Sequence, residues 1–265
     1  MFVHDLNPVL VKFSFIEIRW YSLAYIFGIL IGWWLAKKII QIKINNGEIN
    51  FNIKVFDDLV SWLIISIIVG GRIGYVFFYN LSYYLNNPLD ILKVWEGGMS
   101  FHGALIGIVL GTYIFSKKIN IKTFFFLDVI STVAPIGIFF GRVANFINAE
   151  LYGKPSNLIW SVTFPSVDLI PRHPSQLYEA FLEGIVLFLI LINIILRKNT
   201  KVGTCSGLFM IFYGLFRILT EQFREPDIQV GYLFGLFSMG SLLSLFMVLI
   251  GLFIFFKIKN NEFNK

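Results

Sequence analysis

The chain has 265 residues, of which 57% are hydrophobic and 14% are charged, with a formal net charge of +6. A mean hydropathy of +0.74 excludes an ordinary soluble domain, which must cover its surface with polar side chains. The composition therefore indicates an integral membrane protein, and the single cysteine excludes an intrachain disulfide bond.

Seven apolar runs are candidates for membrane-spanning helices, since about 20 helical residues cross a hydrocarbon core. They predict an all-α polytopic membrane protein in which residues 1–265 form a single integral membrane domain. A polar segment of residues 141–175 separates the fourth and fifth runs. The predicted spans are residues 20–36, 59–79, 101–115, 124–140, 177–196, 208–223 and 232–256.

Lysine is unevenly distributed about these spans. Basic residues accumulate in the cytoplasmic loops of membrane proteins, and twelve of the fifteen lysines fall on one side, which also contains the C-terminus. The predicted topology therefore places the N-terminus outside and the C-terminus in the cytoplasm. Asp5 and Glu17 precede the first span where a signal peptide would carry basic residues, so no cleavable signal peptide is expected.

Arginine shows the opposite distribution, because only one of the seven arginines lies on the predicted cytoplasmic side. A guanidinium binds phosphate or carboxylate through a planar two-pronged contact, so the outer arginines favour anion recognition. The alternative is that they pair with glutamates and hold the helices together. The arginines at or near the outer leaflet are Arg72, Arg142, Arg172, Arg217 and Arg224, and the candidate glutamates are Glu150, Glu179, Glu183, Glu221 and Glu225.

The outer ends of the first two spans contain tyrosines and one arginine. Tyr21 and Tyr25 open the first span, and Arg72 and Tyr75 share one face of the second. Arg72 lies about 21 Å along its helix from the cytoplasmic end, where it can contact lipid phosphates in general or form a specific site. An aromatic belt at the membrane interface explains the tyrosines equally well.

The sequence WEGGMSFHGALIG opens the third span. His102 within it has an ordinary pKa near neutrality, which suits proton transfer, although a lone histidine at an interface is as often only hydrogen-bonded. Ser100 lacks the Gly-x-Ser-x-Gly surroundings of a serine nucleophile. Gly103, Gly107 and Gly111 recur every four residues, a spacing that lets another helix approach closely.

The sequence GRVANFINAELYG follows the fourth span and is unusually polar for its position. Arg142 and Asn145 share a face on an α-helix, whereas Glu150 points elsewhere if the helix continues unbroken. We therefore expect the helix to end or bend within this segment, with Gly153 closing the turn.

Polar residues also form helical faces in the fifth and sixth spans. Gln176, Glu179 and Glu183 share one face at spacings of three and four. In the sixth span, the stripe from Tyr213 to Arg224 runs from near mid-membrane to the outer interface. This stripe comprises Tyr213, Arg217, Thr220, Glu221 and Arg224. Ionisable residues inside a span are costly and usually face a cavity or a partner, so a wet groove is favoured over a purely structural ion pair.

The chain resembles the prolipoprotein diacylglyceryl transferase family. GRVANFINAELYG is similar to the family signature, and RWYSLAY, GGRIGY, WEGGMSFHG, HPSQLYE and YGLFRILTEQFREPD occur in the family's order over nearly the whole chain. One departure is Ala104, where the family more often has glycine. The resemblance implies transfer of a diacylglyceryl group from phosphatidylglycerol to the lipobox cysteine of a preprolipoprotein, which forms a thioether and releases glycerol 1-phosphate.

The same resemblance implies roles for individual residues. Arg142 holds the phosphatidylglycerol head group, Arg217 stabilises charge on the departing phosphate, and His102 is the favoured base for the thiol. Tyr21 and Glu221 match further catalytic positions. The remaining phosphatidylglycerol-binding candidates are Asn145, Glu150, Gly153, Arg224 and Arg72.

The expected partners are phosphatidylglycerol and preprolipoprotein signal peptides with a lipobox cysteine. No metal, cofactor or nucleic acid is expected. The expected location is the bacterial cytoplasmic (inner) membrane, with the active site toward the outer leaflet. A secondary transporter for an organic anion is the main alternative, but the two related halves typical of transporters are not evident in the sequence. A structural scaffold leaves the outer arginines unexplained.

Overall fold

The computed structural model describes residues 2–13, 16–225, 232–233 and 237–259, and the chain within them is mainly helical. The long apolar runs form helices because a backbone surrounded by lipid must satisfy its own hydrogen bonds. The helices are α1 (Trp20–Asn45), α2 (Lys54–Tyr79), α3 (Leu81–Asn86), α4 (Phe101–Lys118), α5 (Thr123–Ile147), α6 (Ser175–Glu179), α7 (Leu187–Ile195), α8 (Thr204–Glu221) and α9 (Met239–Lys259). Short 3₁₀ turns occupy Pro88–Leu92 and Val94–Glu96.

Short strands accompany these helices, so the all-α prediction is wrong in detail. The strands are β1 (Phe2–Val3), β2 (Val9–Phe13), β3 (Ile16–Arg19), β4 (Val162–Thr163), β5 (Pro171–Arg172), β6 (Tyr232–Leu233) and β7 (Phe237–Ser238). β4 pairs with β1 in parallel and with β5 in antiparallel orientation, while β2 pairs with β3 and β6 with β7, both antiparallel. Strands of two to five residues are too short to show a period-two pattern in the sequence.

Helices α6 and α7 are joined by a π-helical stretch, Ala180–Val186, and together form one unbroken helix, Ser175–Ile195, here called the composite helix. Gly184 in the π-helical stretch packs against α5, where a Cβ on Gly184 would lie 2.7 Å from Cβ of Phe139. Such π-helical insertions are rare and are often found at functional sites.

Five helices among the described residues are long and apolar enough to cross a membrane. A polytopic membrane protein is therefore confirmed, whereas the count of seven spans stays a prediction. Helices α4 and α8 occupy the other two predicted spans with 18 residues each, about 27 Å in length. The five helices are Trp20–Asn45, Lys54–Tyr79, Thr123–Ile147, Ser175–Ile195 and Gly240–Ile258.

Most predicted spans are shorter than the helices that contain them. Helix α1 continues to Asn45 instead of residue 36, and the ammonium groups of Lys37 and Lys38 lie 5.1 and 4.0 Å from the ring centres of Trp33 and Trp34. Long basic side chains can extend along an apolar helix in this way, so the first lysine does not mark the helix end. The corrected bounds of three other spans are Lys54–Tyr79 for 59–79, Phe101–Lys118 for 101–115, and Ser175–Ile195 for 177–196.

Three more predicted helix boundaries differ from those in the structure. Helix α5 continues to Ile147 instead of residue 140, so residues 141–147 are helical and the polar segment begins at Asn148. Helix α8 ends at Glu221, before the predicted residue 223. The predicted seventh span, 232–256, starts too early because β6 and β7 pair before α9 begins at Met239. Residues 226–231 and 234–236 lie outside the described residues.

The chain divides into two compact units. The first is Lys43–Leu127, and the second is Met1–Ile42 together with Asp128–Lys265. In the first unit, α2 and α4 pack closely through glycines: a Cβ on Gly74 would lie 2.7 Å from Cα of Gly103. The close helix approach predicted from the glycine spacing is therefore confirmed. An apolar groove of about 600 Å³ is lined by residues of α2 and α4 alone.

In the second unit, Asp128 near the start of α5 ties that helix to the start of α8. Its carboxylate accepts hydrogen bonds from the backbone N–H groups of Gly203 (2.6 Å) and Ser206 (2.7 Å) and from the Ser206 hydroxyl (2.7 Å). This carboxylate satisfies donors at the α8 N-terminus that the helix cannot pair itself. Helices α5 and α8 therefore start at one end of the unit and finish together at the other.

Candidate active site

Charged side chains from three helical segments meet where α5 and α8 end. Arg142 comes from the last turns of α5 and Arg217 from the last turns of α8, while Arg224 follows α8. Glu179 and Glu183 come from the start of the composite helix and are both 0% exposed. The predicted shared face of the fifth span is therefore confirmed, and it points into the protein.

The carboxylate of Glu179 is the centre of this arginine cluster. Its Oε2 lies 3.0 Å from Nε of Arg142, and its Oε1 pairs with Nη1 of Arg217 and lies 3.5 Å from Nη1 of Arg224. Three guanidinium groups thus share one buried carboxylate. The arrangement fixes the relative positions of the ends of α5 and α8 and the start of the composite helix.

Two further carboxylates balance the charge of the cluster. Glu183 Oε2 lies 3.3 Å from Nη2 of Arg142, and its Oε1 accepts a hydrogen bond from the Thr220 hydroxyl at 3.4 Å. Glu221 Oε2 lies 2.8 Å from Nη2 of Arg217. Three arginines and three glutamates among the described residues give no formal net charge, which offsets part of the cost of burying them.

Arg142 keeps one side of its guanidinium available. Its Nε and Nη2 pair with Glu179 and Glu183, whereas its Nη1 has no hydrogen-bond or ion-pair partner among the described residues. Its side chain is also 17% exposed, compared with 11% for Arg217 and 7% for Arg224. Arg142 is therefore the arginine of the cluster best placed to receive an anionic group.

A second set of contacts, made without an arginine, adjoins Arg142 along α5. Asn145 is 5% exposed, and its Nδ2 donates to Tyr21 Oη at 3.5 Å and to Glu150 Oε2 at 3.2 Å. Nε2 of Gln176 donates to the backbone carbonyl of Glu150 at 2.6 Å. These contacts connect the start of α1, the end of α5 and the start of the composite helix.

The helix end or bend expected within residues 141–153 is confirmed, but the residues that turn the chain differ from the prediction. Helix α5 ends at Ile147, and Ala149 and Leu151 adopt left-handed backbone conformations with φ of 54° and 56°. The chain therefore turns back at these two residues, which brings Glu150 to Asn145. Gly153 does not close this turn.

Gly153 instead allows two backbones to approach closely. It forms an antiparallel bridge with Arg224, and its N–H donates to the carbonyl of His173 at 3.0 Å. A Cβ here would lie 2.6 Å from Cβ of His173 and 2.7 Å from the carbonyl oxygen of Phe223. Arg224 therefore reaches the cluster from an extended segment beside Gly153, and its predicted place on a continuous helical stripe is wrong.

Arg172 braces the loop outside the helices. Its guanidinium contacts Asp168 Oδ2 at 2.6 Å, Glu225 Oε2 at 3.1 Å and the carbonyl of Gly153 at 3.0 Å, and its Cζ lies 4.9 Å from the ring centre of Tyr152. Arg172 holds the pKa of the Asp168 carboxyl below its ordinary value. Pairing with a glutamate, the alternative weighed for the outer arginines, thus describes the contact of Arg172 with Glu225, and Asp168 is an additional partner.

The other two candidates, Arg72 and His102, belong to the other compact unit. Arg72 is 4% exposed, and within the described part of the chain its hydrogen bonds all go to backbone carbonyls. His102 lies in the first turn of α4, and its side chain is outside the part of the chain that the structure describes. Ser100 caps α4 by accepting a hydrogen bond from the Gly103 N–H at 3.2 Å.

The site predicted from the sequence did not include the two carboxylates at its centre, those of Glu179 and Glu183. Glu179 and Glu183 were recognised as members of one helical face and as possible ion-pair partners of the outer arginines, but not as members of the site, although every arginine of the cluster contacts Glu179. The signal was the i, i+4 spacing of two glutamates in an otherwise apolar span, which is costly without partners. The partners themselves lie 38 and 41 residues away in the sequence, for Arg217 with Glu179 and Arg142 with Glu183.

Comparison with known proteins identifies the family. Residues 8–257 match the sequence profile described as Prolipoprotein diacylglyceryl transferase. The chain belongs to this family. A phosphatidylglycerol--prolipoprotein diacylglyceryl transferase of Rickettsia typhi is 49% identical over 253 residues, which cover 95% of this chain and 96% of the relative. Proteins of the same name from Rickettsia bellii and Rickettsia felis are 47% and 48% identical over 98% and 93% of this chain, and over 98% and 95% of the relatives.

Every candidate residue of the diacylglyceryl transferase site lies within the matched residues 8–257. The matched range thus includes both the arginine cluster around Glu179 and the contacts among Tyr21, Asn145 and Glu150. Their geometry is that of a buried, charge-balanced site with one available guanidinium edge.

Proposed function

We propose that this protein transfers the diacylglyceryl group of phosphatidylglycerol to the lipobox cysteine of a preprolipoprotein. The cysteine sulfur attacks the glycerol carbon that carries the phosphate. A C–S bond forms, the C–O bond to the phosphate breaks, and its electron pair leaves with glycerol 1-phosphate. The thiol proton passes to a base.

The observation that carries this proposal is the available Nη1 edge of Arg142 beside an otherwise neutralised cluster. A phosphodiester that approaches this edge meets a guanidinium already held in place by Glu179 and Glu183. Donors fixed before the reaction stabilise developing charge without reorganising during it. Arg142 therefore binds the head-group phosphate.

Arg217 and Arg224 act from the same cluster. Arg217 is buried between Glu179 and Glu221 and stabilises the charge that grows on the departing phosphate. Arg224 is positioned by the bridge at Gly153 and adds positive charge on the other side of Glu179. Glu221 keeps Arg217 oriented.

Tyr21, Asn145 and Glu150 form the wall next to Arg142. Asn145 is held by both neighbours through its amide nitrogen, so its position on α5 is defined one turn from Arg142. This wall orients the lipid head group.

Thiolate formation is assigned to His102. A free cysteine thiol has a pKa of about 8.5 and is only a few per cent thiolate at pH 7, so a base within reach raises the rate. The ordinary pKa of histidine suits this role. This assignment rests on the match of WEGGMSFHG to the family sequence.

We place the protein in the bacterial inner membrane with the arginine cluster toward the outer leaflet, the N-terminus outside and the C-terminus in the cytoplasm. Asp128 lies 14 residues before Arg142 on α5, about 21 Å along the helix. The loop that Asp128 contacts at Gly203 contains Arg197, Lys198 and Lys201. The positive-inside rule assigns that end to the cytoplasm and the arginine cluster to the opposite end.

A transfer assay tests the proposal directly. Detergent-solubilised protein is incubated with phosphatidylglycerol and a lipobox peptide, and the peptide mass is measured. The proposal expects a mass gain of one diacylglyceryl group on cysteine and none on a matched peptide with serine in its place. No mass gain, together with anion flux that requires sealed vesicles, identifies a transporter instead.

A further inference from the structure

Arg72 uses all five of its N–H donors on backbone carbonyls. Nε donates to the carbonyl of Ile91 at 2.8 Å. Nη1 donates to those of Gly97 (2.5 Å) and Gly98 (3.2 Å), and Nη2 to those of Asp90 (2.6 Å) and Lys93 (3.1 Å). An arginine has five such donors in a fixed planar arrangement. A phosphate can therefore bind Arg72 only by displacing one of these carbonyls.

The carbonyls belong to the connection between α3 and α4, residues 87–100, here called the α4 entry segment. This segment has little regular structure of its own beyond two short 3₁₀ turns. Its side-chain contacts include Asp90 Oδ1 to Lys93 Nζ at 2.7 Å within the segment. The hydroxyl of Tyr83, from α3, donates to Asp90 Oδ2 at 2.6 Å. The guanidinium of Arg72 also lies 5.2 Å from the ring centre of Tyr84, an arrangement that favours a buried cation.

Two glycines let the α4 entry segment close around Arg72. Gly97 and Gly98 have φ of 87° and 75°, conformations that other residues rarely adopt. A Cβ on Gly98 would lie 2.5 Å from Cε1 of Tyr75 and 3.0 Å from Nη1 of Arg72. The segment therefore packs closely against the face of α2 that carries Arg72.

The α4 entry segment leads directly into the first turn of α4. The Ser100 N–H donates to the carbonyl of Gly71, the neighbour of Arg72, at 2.9 Å, and the Ser100 hydroxyl caps α4 at Gly103. His102 lies within this capped turn. Where α4 begins, and so where the backbone of His102 lies, is thus set by contacts with α2 around Arg72.

We propose that Arg72 is a positioning residue for the transfer reaction, which holds the α4 entry segment and thereby places His102. It is not a ligand of the lipid phosphate. The inference rests on the proposed function, since it assigns Arg72 to the thiol-activating side of that reaction. A lysine keeps the charge of Arg72 but offers only three donors on a flexible stem. It therefore cannot hold five carbonyls.

The test compares Arg72→Lys with Arg19→Lys, a matched change at an exposed arginine. Amide hydrogen exchange is measured over residues 87–100, and kcat and KM for phosphatidylglycerol are measured by peptide mass gain. We expect Arg72→Lys to speed exchange in this segment and to lower kcat by up to about 100-fold, as small misplacements of reacting groups do, with KM nearly unchanged. Arg19→Lys is expected to match the wild type.

Other outcomes overturn the inference. Unchanged exchange in residues 87–100, or a rise in KM at constant kcat, assigns Arg72 to the lipid phosphate. Faster exchange with full activity removes Arg72 from the reaction. If Arg72→Lys fails to insert, Tyr84→Leu is measured in the same way against Tyr84→Phe, which keeps the aromatic ring beside the guanidinium. If the unmutated protein transfers no diacylglyceryl group, the proposed function itself is contradicted. Failure of the proposed function is thus distinguishable from failure of the role proposed for Arg72.

Discussion

Arg217 and Glu179 form an ion pair that is buried on both sides and joins α8 to the composite helix. Because Glu179 also contacts Arg142 and Arg224, this pair lies at the centre of the arginine cluster. A buried ion pair is weak evidence for net stability, but breaking one leaves an uncompensated charge. The cluster therefore makes folding and the site depend on the same carboxylate.

Replacing the central carboxylate should damage both stability and activity. Glu179→Gln leaves three guanidinium groups with two carboxylates, and loss of one partner of a buried pair typically costs about 3 to 5 kcal/mol. We expect a clear fall in the thermal unfolding temperature in detergent and loss of most transfer activity. Glu17→Gln removes an exposed glutamate paired with Lys12 and Arg19 and should leave the unfolding temperature nearly unchanged, because solvent screens exposed ion pairs. Equal unfolding temperatures for the two variants would contradict the central role of Glu179.

The close approach at Gly153 predicts the effect of a single methyl group. In Gly153→Ala the new Cβ meets Cβ of His173 and the carbonyl of Phe223, so one backbone must move at a cost of about 1 to 3 kcal/mol. Because Arg224 is bridged to Gly153, transfer activity should fall as well. Gly137→Ala is the control, since no atom lies within 4 Å of a Cβ built there. Similar unfolding temperatures and activities for both alanine variants would exclude the proposed constraint.

The contact between Arg172 and Asp168 predicts that the stability of the loop of residues 155–172 depends on pH. Arg172 lowers the pKa of Asp168 in the folded protein, so the contact stabilises the loop fully above the unfolded-state pKa of about 3.9 and is lost as pH falls through the lower folded-state pKa. Proteolysis of residues 155–172 should therefore be slow at pH 7 and faster near pH 3. In Asp168→Asn the Arg172 contact is weakened at both pH values. A wild-type loop equally resistant at both pH values would show that this pair does not hold it.

The assignment of the base predicts a change in the pH profile. Transfer by the wild type should rise between about pH 6 and 8 as His102 loses its proton. His102→Gln should be much slower and should lack this rise. The measurement is the initial rate of peptide mass gain across that range at saturating phosphatidylglycerol. A variant that keeps both the rate and the profile removes His102 from proton transfer.

The apolar helices could be predicted from the sequence, but their ends could not. Helix α5 continues through Arg142 and Asn145 because their side chains find partners on other elements, so polarity does not mark the helix end. The end is instead set by the left-handed residues Ala149 and Leu151, types that rarely adopt this conformation and so give no signal. The short strands were missed for a similar reason, since they depend on pairing with distant segments.

The candidate site could be predicted in part. Arg142, Arg217 and Arg224 were identified from their position, and they do converge. Their shared partner Glu179 was one of five candidate glutamates and could not be singled out, because helix packing decides which carboxylate meets which guanidinium. Arg72 was grouped with the lipid-binding arginines by type and depth. Only the structure shows that its donors are all used by the chain itself.

The most direct test of the arginine cluster as the transfer site is the mass of a lipobox peptide after incubation with phosphatidylglycerol and Arg142→Ala protein. Arg142 offers an available guanidinium edge to the head-group phosphate, so we expect no diacylglyceryl peptide from this variant. Arg217→Ala should behave in the same way, and Arg19→Ala, a change at an exposed arginine, should give wild-type product. Near wild-type transfer by membrane-inserted Arg142→Ala protein would contradict the account.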